Sequence, residues 1–215
     1  MHNQLSAISD RLLSGDAPGT REAVAHALAA GYQGQTILNE ALIPAMDEVG
    51  RRYEEGQFFV PEMLIAARAM KAALADIRSL LVDGAVRPLA RVAVGTVQGD
   101  LHDIGKNLVA MMLEGAGFQV HDLGTDVPPL RVGAAVREDG VAMIGMSALL
   151  TTTMPVMAGT VQALEAAGVR RRVKVLVGGA PVTAAYGRQI GADGYAADAG
   201  QVANLARQLL THREA

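Results

Sequence analysis

Cysteine and tryptophan are absent from this 215-residue chain. Without a thiol there is no disulfide framework, no thiolate metal site and no cysteine nucleophile. Aromatic residues make up only 3%, although 50% of the residues are hydrophobic. The core must be filled by Ala, Val, Leu, Met and Gly, which suits closely packed helices and α/β layers better than a β-sandwich. Charge of one sign is scarce as well. The formal net charge is −3, and the longest basic tract is Arg170-Arg171-Arg172. Nucleic-acid binding through phosphate contacts is not expected from that balance. No hydrophobic run reaches the length of a membrane span, and the start, MHNQLSAISDRL, has no apolar signal core. A soluble cytoplasmic protein without membrane contact is expected.

What is present falls into two halves with different periodicity. In residues 1–85 apolar residues recur only at helical spacing: Leu5, Ile8 and Leu12; Val24 and Leu28; Leu38, Leu42, Met46, Val49 and Tyr53; then Met63, Leu64, Ala67, Met70, Leu74, Ile77 and Leu81 after Pro61. Breaks at Gly15–Gly19, Gly31–Gly34 and Glu54–Gly56 divide this half into four helices, the pattern of a small antiparallel bundle. The stretch Asp83–Pro88 reads as a linker, so the expected divisions are 1–85, a connector 86–90, and 91–215. From Arg91 onward short Val-rich strands alternate with helices. Strands are expected at Arg91–Thr96, Gln119–Leu123, Val141–Met146, Val173–Val177 and, weakly, Gly194–Ala196. Helices are expected at Gly105–Ala116, Pro129–Glu138, Met154–Ala167, Val182–Ile190 and Gly200–His212. Five strands alternating with five helices predict a parallel, doubly wound, flavodoxin-like (Rossmann-type) sheet, α/β in class.

Ligands of such sheets bind beyond the carboxyl ends of the strands. The unusual residues of this chain gather at those ends: Gly99-Asp100-Leu101-His102-Asp103-Ile104-Gly105, Ser147-Ala148-Leu149-Leu150-Thr151-Thr152-Thr153, Gly178-Gly179-Ala180-Pro181 and Ala197-Asp198-Ala199-Gly200. A loop histidine is ordinarily solvated or caps a helix. His102 differs in having Asp100 two residues upstream, in reach of the other ring nitrogen, where a carboxylate fixes the tautomer and strengthens a metal ligand. Gly105 permits close backbone approach to a bulky ligand. Only this one histidine lies in the loop, and no Cys or Glu-x-x-His pair supports it, so a closed protein-only metal cage is excluded, whereas a single axial ligand suits a metal already held by a macrocycle. One hydroxyl among Ser147, Thr151, Thr152 and Thr153 is explained by capping the next helix; four are not.

These residues carry a resemblance. Asp100-x-His102-x-x-Gly105, Ser147-x-Leu149 and Gly178-Gly179 resemble the cobalamin-binding domain of B12 proteins, including that of methionine synthase. The helical half resembles the cap domain of methyltransferase-associated corrinoid proteins. The strings GDLHDIGKNLV, MMLEGAGF, DLGTDVPP, SALLTTTMP, VGGAPVT and GADGYAADAG are similar to the corrinoid proteins of methanol, methylamine and methoxyarene demethylation. The resemblance implies a cobalamin or related corrinoid bound with its dimethylbenzimidazole displaced from cobalt, base-off and His-on, with His102 as lower axial ligand. It implies that Asp100 hydrogen-bonds His102 and that Thr153 continues the relay, with Thr151 and Thr152 as competitors. Gly99, Leu101, Asp103, Ile104 and Gly105 would follow the corrin. Ser147, Leu149, Thr151, Thr152, Gly178, Gly179 and Ala180 would line a channel for the nucleotide tail, closed by Asp198 and Ala199. On that reading Gly179→Leu lowers cobalamin affinity and leaves the fold intact.

Phe59, Met63, Ala66 and Met70 share one face by spacing. They are bundle core or, as the resemblance implies, a cap over the upper face of the corrin. The implied function is a methyl carrier, not catalytic alone, cycling between cobalt(I) and methyl-cobalt(III). Its implied partners are a substrate-specific methyltransferase, a second methyltransferase delivering to tetrahydrofolate or to a thiol such as coenzyme M, and a reductive activator. An adenosylcobalamin mutase subunit, a B12-dependent regulator and a B12-free flavodoxin-like domain are the alternatives. The last has no reason to pair Asp100 with His102.

Overall fold

The bundle half forms its helices where the apolar periodicity lies and breaks them where glycine ends it. In the computed structural model, which describes residues 2–80 and 88–211, α1 is His2–Leu13, α2 Ala17–Ala29, α3 Gly34–Ile37, α4 Ile43–Glu54 and α5 Val60–Leu80. Gly15, at φ 72°, ends α1: its amide bonds Leu12 O, and the Asp16 amide bonds Arg11 O, a helix stop that needs a left-handed residue. Asp16 then caps α2 by accepting from the Gly19 amide at 2.9 Å. One π-turn, Leu38–Leu42, joins α3 to α4, with the Ile43 amide bonded to Leu38 O. Pro44 supplies the reason. It has no amide proton and its ring crowds the preceding turn, so the helix widens there. α2 packs on α1 and α5, and α4 on α1 and α5. Ile8, Leu12, Val24, Leu42, Met46 and Val49 are fully buried.

The other half is a five-stranded parallel sheet in the order β2-β1-β3-β4-β5. The strands are β1 Arg91–Thr96, β2 Gln119–Asp122, β3 Met143–Ser147, β4 Lys174–Gly178 and β5 Gly194–Tyr195. The helices are α6 Ile104–Gly115, α7 Pro129–Glu138, α8 Met154–Ala166, α9 Ala184–Gln189 and α10 Ala199–Thr211. Val132, Val136, Ile144, Met157, Leu164, Val175 and Val177 belong to its buried core. α9 starts later than expected because Val182 lies in a turn onto Gly179 O, and the Thr183 hydroxyl caps the helix by accepting from Tyr186 N at 3.1 Å. β3 starts later than expected; Val141 and Ala142 precede its regular pairing, although Ala142 N still bonds Arg91 O.

The chain divides into two compact units, Met1–Pro88 with Glu114–Gly117, and Leu89–Leu113 with Phe118–Ala215. The expected ends at Leu81 and His212, and most of the expected linker Asp83–Pro88, lie outside the described residues. No helix among the described residues is long and apolar enough to cross a membrane.

Candidate functional site

The chain leaves β1 for β2 on one side and returns to β3 on the other, so the loops after β1 and β3 diverge at the sheet's switch point. Register brings Thr96, Ser147 and Gly178 level along that edge. Asp100 sits between the two loops, fully buried. Its Oδ1 accepts from His102 Nδ1 at 2.6 Å and from the His102 amide at 3.1 Å. Its Oδ2 accepts from the Leu149 amide at 2.8 Å, the Leu150 amide at 3.3 Å and Thr153 Oγ1 at 2.9 Å. Burial alone would raise the Asp100 carboxyl. The Leu149 amide, the His102 ring and amide and the Thr153 hydroxyl outweigh it and hold the group well below the usual carboxylate range. An ionised Asp100 can only accept, so His102 Nδ1 carries a proton, and in the neutral imidazole Nε2 then presents the lone pair.

The His102 side chain is 52% exposed while its partner is sealed, so the free nitrogen faces an open position. In the same two loops Leu101, Ile104, Leu149 and Leu150 are exposed apolar side chains. A Cβ on Gly105 would meet nothing within 4 Å, so the protein's own packing does not require glycine there. Among the described residues no group of three metal-ligating side chains occurs. A single imidazole on loops that expose apolar side chains, with backbone left bare at Gly105, fits one axial bond to a metal held in a large macrocycle. It does not fit a metal held by protein alone.

The B12 binding domain family matches residues 90–204, and a second B12 binding domain family matches residues 4–77. The chain belongs to the B12-binding corrinoid proteins. It is 40% identical to dimethylamine corrinoid protein 3 of Methanosarcina acetivorans over 206 residues, 96% of each chain. It is 39% identical to trimethylamine corrinoid protein 1 of Methanosarcina mazei, covering 88% of both. Among solved structures it is similar to a cobalamin-binding protein from Desulfitobacterium hafniense, with TM-score 0.81, 31% identity and coverage of 95% and 97%. It is also similar to the methanol:cobalamin methyltransferase complex of Methanosarcina barkeri, with TM-score 0.85, 29% identity and coverage of 98% of this chain and 83% of that one. The corrinoid protein thus has the fold expected of it: a helical N-terminal domain followed by a five-stranded parallel sheet domain.

The structure brings His102, Asp100 and Thr153 into one hydrogen-bonded chain and leaves Thr151 and Thr152 exposed on the surface. Ser147 is half-buried at the end of β3, next to Gly178 of β4. Asp198 accepts from the Gln201 amide at 3.1 Å, which caps α10, and Ala199 is buried. Ala180 is exposed. Two expectations need correction. Phe59 does not share a face with Met63, Ala66 and Met70: those three are buried, while Phe59 is 65% exposed. Phe59 occupies the cap of α5, its carbonyl taking the first helical bond from Met63 N and its amide bonding Glu62 Oε2 at 2.9 Å. Helical spacing does not extend to a cap residue. The second correction is that Gly179 cannot accept leucine in an intact fold. A Cβ there would lie 1.9 Å from the Ala148 carbonyl oxygen, and φ is +121°.

Two supporting residues escaped the sequence reading. Thr96 Oγ1, fully buried, donates to the His102 carbonyl at 2.7 Å and ties the loop to β1. Lys106, 4% exposed, places Nζ 2.6 and 2.7 Å from the two oxygens of Asp122 and ties the first turn of α6 to the end of β2. A polar residue ending the Val-rich strand RVAVGT was the available signal for Thr96. Lys106 had none, since its partner lies beyond the rest of α6, at the far end of β2.

Proposed function

We propose that this corrinoid protein carries methyl groups between methyltransferases, with His102 Nε2 as the lower axial ligand of a base-off, His-on cofactor. The observation that carries the reading is the buried Asp100 bridging His102 Nδ1 and Thr153 Oγ1 at the switch point. Bound there, the corrinoid supplies a cobalt centre able to accept and release a methyl group. The protein's part is to aim His102 and to hold or release its proton. Thr153 Oγ1 has a second acceptor, the Leu150 carbonyl, also at 2.9 Å. With Asp100 ionised, Thr153 donates to it. With Asp100 protonated, Asp100 donates to Thr153, which turns its own hydrogen to Leu150. A proton therefore has a seat in the relay without movement of heavy atoms.

The working partners in this proposal are a substrate-specific methyltransferase, a second methyltransferase serving tetrahydrofolate or a thiol, and a reductive activator. The methyltransferase complex among the similar structures supports the first of these. Relatives named for dimethylamine and trimethylamine favour a methylamine as the methyl source. The divisions 1–85, 86–90 and 91–215, the tail channel at Ser147, Leu149, Gly178 and Gly179, and Phe59 as a contact over the cofactor belong to the same proposal.

His102→Ala tests it. The variant is expected to retain corrinoid while the cobalt(II) paramagnetic resonance spectrum loses its protein-nitrogen splitting. Unchanged splitting rejects the ligand assignment. Phe59→Ala is a separate expectation. At an exposed position it should shift stability by no more than about 0.5 kcal/mol. A contact role over the cofactor predicts faster air oxidation of the reduced cofactor in the same preparation, and an unaltered oxidation rate removes Phe59 from the site.

A further inference from the structure

Among the described residues, one residue other than glycine has a positive φ: Asp126, at 55°. Asp and Asn enter this region more readily than other side chains, but a residue held there is held by its surroundings. Here the surroundings are the relay loop itself. The Asp126 amide donates to the Asp100 carbonyl at 3.0 Å. Its carboxylate Oδ1 accepts from the Gly99 amide at 2.7 Å. One residue thus grips two successive residues of the loop after β1, and the second of them carries the buried carboxylate that orients His102. The grip extends a short parallel pairing in which Val127 N bonds Thr96 O, Thr96 N bonds Gly124 O, and Val97 bridges Val127. Asp126 has no hydrogen bond to His102 or Thr153 among those observed. Its action runs through the backbone of Asp100.

We propose that Asp126 is a positioning residue for the axial ligand: its left-handed turn and its carboxylate clasp Gly99 and Asp100, and so fix where His102 Nε2 stands. This rests on His102 being the ligand. The loop after β2 thereby becomes part of the ligand machinery, although it contributes no side chain to the relay.

Three replacements separate positioning from plain stability. Asparagine keeps an Oδ1 acceptor and tolerates positive φ. Glycine removes the acceptor and relieves the backbone. Alanine removes the acceptor and keeps the conflict. The full chain is loaded with cobalamin, reduced to cobalt(II), and its nitrogen-split fraction read by paramagnetic resonance alongside the melting temperature, with His102→Ala as the unligated reference. Wild type and Asp126→Asn are expected to be fully nitrogen-split. Asp126→Gly is expected to melt above Asp126→Ala, its backbone being relieved, and yet to bind the axial histidine about tenfold more weakly than wild type, the scale of one lost hydrogen bond to a carboxylate. Asp126→Ala should lose both. A fully split Asp126→Gly spectrum overturns the positioning role while leaving His102 as ligand. A wild-type spectrum indistinguishable from His102→Ala overturns the ligand reading and this inference with it.

Discussion

Asp100→Ala is expected to cost about 3–5 kcal/mol of stability and to abolish nitrogen ligation of the cobalt. The size follows from how many groups converge on one carboxylate. Five donors meet it: the His102 ring and amide, the Leu149 and Leu150 amides and the Thr153 hydroxyl. Alanine strands those lying in the sealed part of the site, and a buried donor without a partner bears its full desolvation cost. Asp100→Asn is instructive because both carboxylate oxygens accept from backbone amides. Whichever way the amide turns, its NH2 faces backbone amides that can only donate, His102's on one side or those of Leu149 and Leu150 on the other, so about 1–3 kcal/mol is expected to go with it. Acid should act on the wild type in the same direction. The folded carboxyl is held below its ordinary value, so its contribution is complete above the unfolded pKa of about 4 and drains away as pH falls toward the folded value. Unfolding free energies measured between neutral pH and pH 3 should therefore fall more steeply for wild type than for Asp100→Asn. Parallel curves would show that the carboxylate's charge is not what holds the two loops together.

Much of this arrangement is legible in the sequence because its parts are local. Asp100 and His102 are two residues apart, and the carboxyl ends of Val-rich strands mark where a parallel sheet puts its ligands. β1 and α7 match their expected limits, Arg91–Thr96 and Pro129–Glu138, since a Thr-to-loop transition and a Pro-Pro start punctuate them. The choice of Thr153 over Thr151 and Thr152 rests on the family resemblance and was not legible in the spacing of the residues. All three follow the same strand, and only the fold of the turn, with Thr153 as the cap of α8, buries one of them toward Asp100. Phe59 was misplaced because a periodicity argument was carried one residue past the helix. Asp126, Thr96 and Lys106 act through backbone or across loops, where spacing along the chain carries no information. The matching of β1 with the loop after β2 is what brings Asp126 to Gly99.

Gly179→Ala, the smallest possible change at that position, is expected to destabilise the protein by about 2–5 kcal/mol, combining a strained backbone with overpacking. The usual test of a glycine beside a ligand is whether a side chain blocks the ligand. Here the obstruction comes first from the protein. An added Cβ would stand 1.9 Å from Ala148 O, 2.9 Å from Ala148 C and 3.1 Å from Ala148 N, all backbone atoms of the residue following β3. Backbone cannot rotate away as a flexible side chain can. Ala148 N also bonds Gly178 O at 3.2 Å, so relief by separating the two loops breaks that pairing. The same Ala148 stands directly before Leu149, whose amide holds Asp100, so any shift that admits the methyl group moves a wall of the relay. Gly178 provides the contrast. A Cβ there would lie 3.0 Å from Ala196 O, a tight contact without a positive φ. Gly178→Ala should then be the milder substitution by at least about 1 kcal/mol, the low end of the strain that a non-glycine residue carries in a disfavoured backbone region. Chemical denaturation of the cofactor-free protein orders the two without any contribution from ligand. If Gly179→Ala unfolds no more readily than Gly178→Ala, the close approach of the two loops is not rigid. The glycine pair must then be explained by the space the nucleotide tail needs.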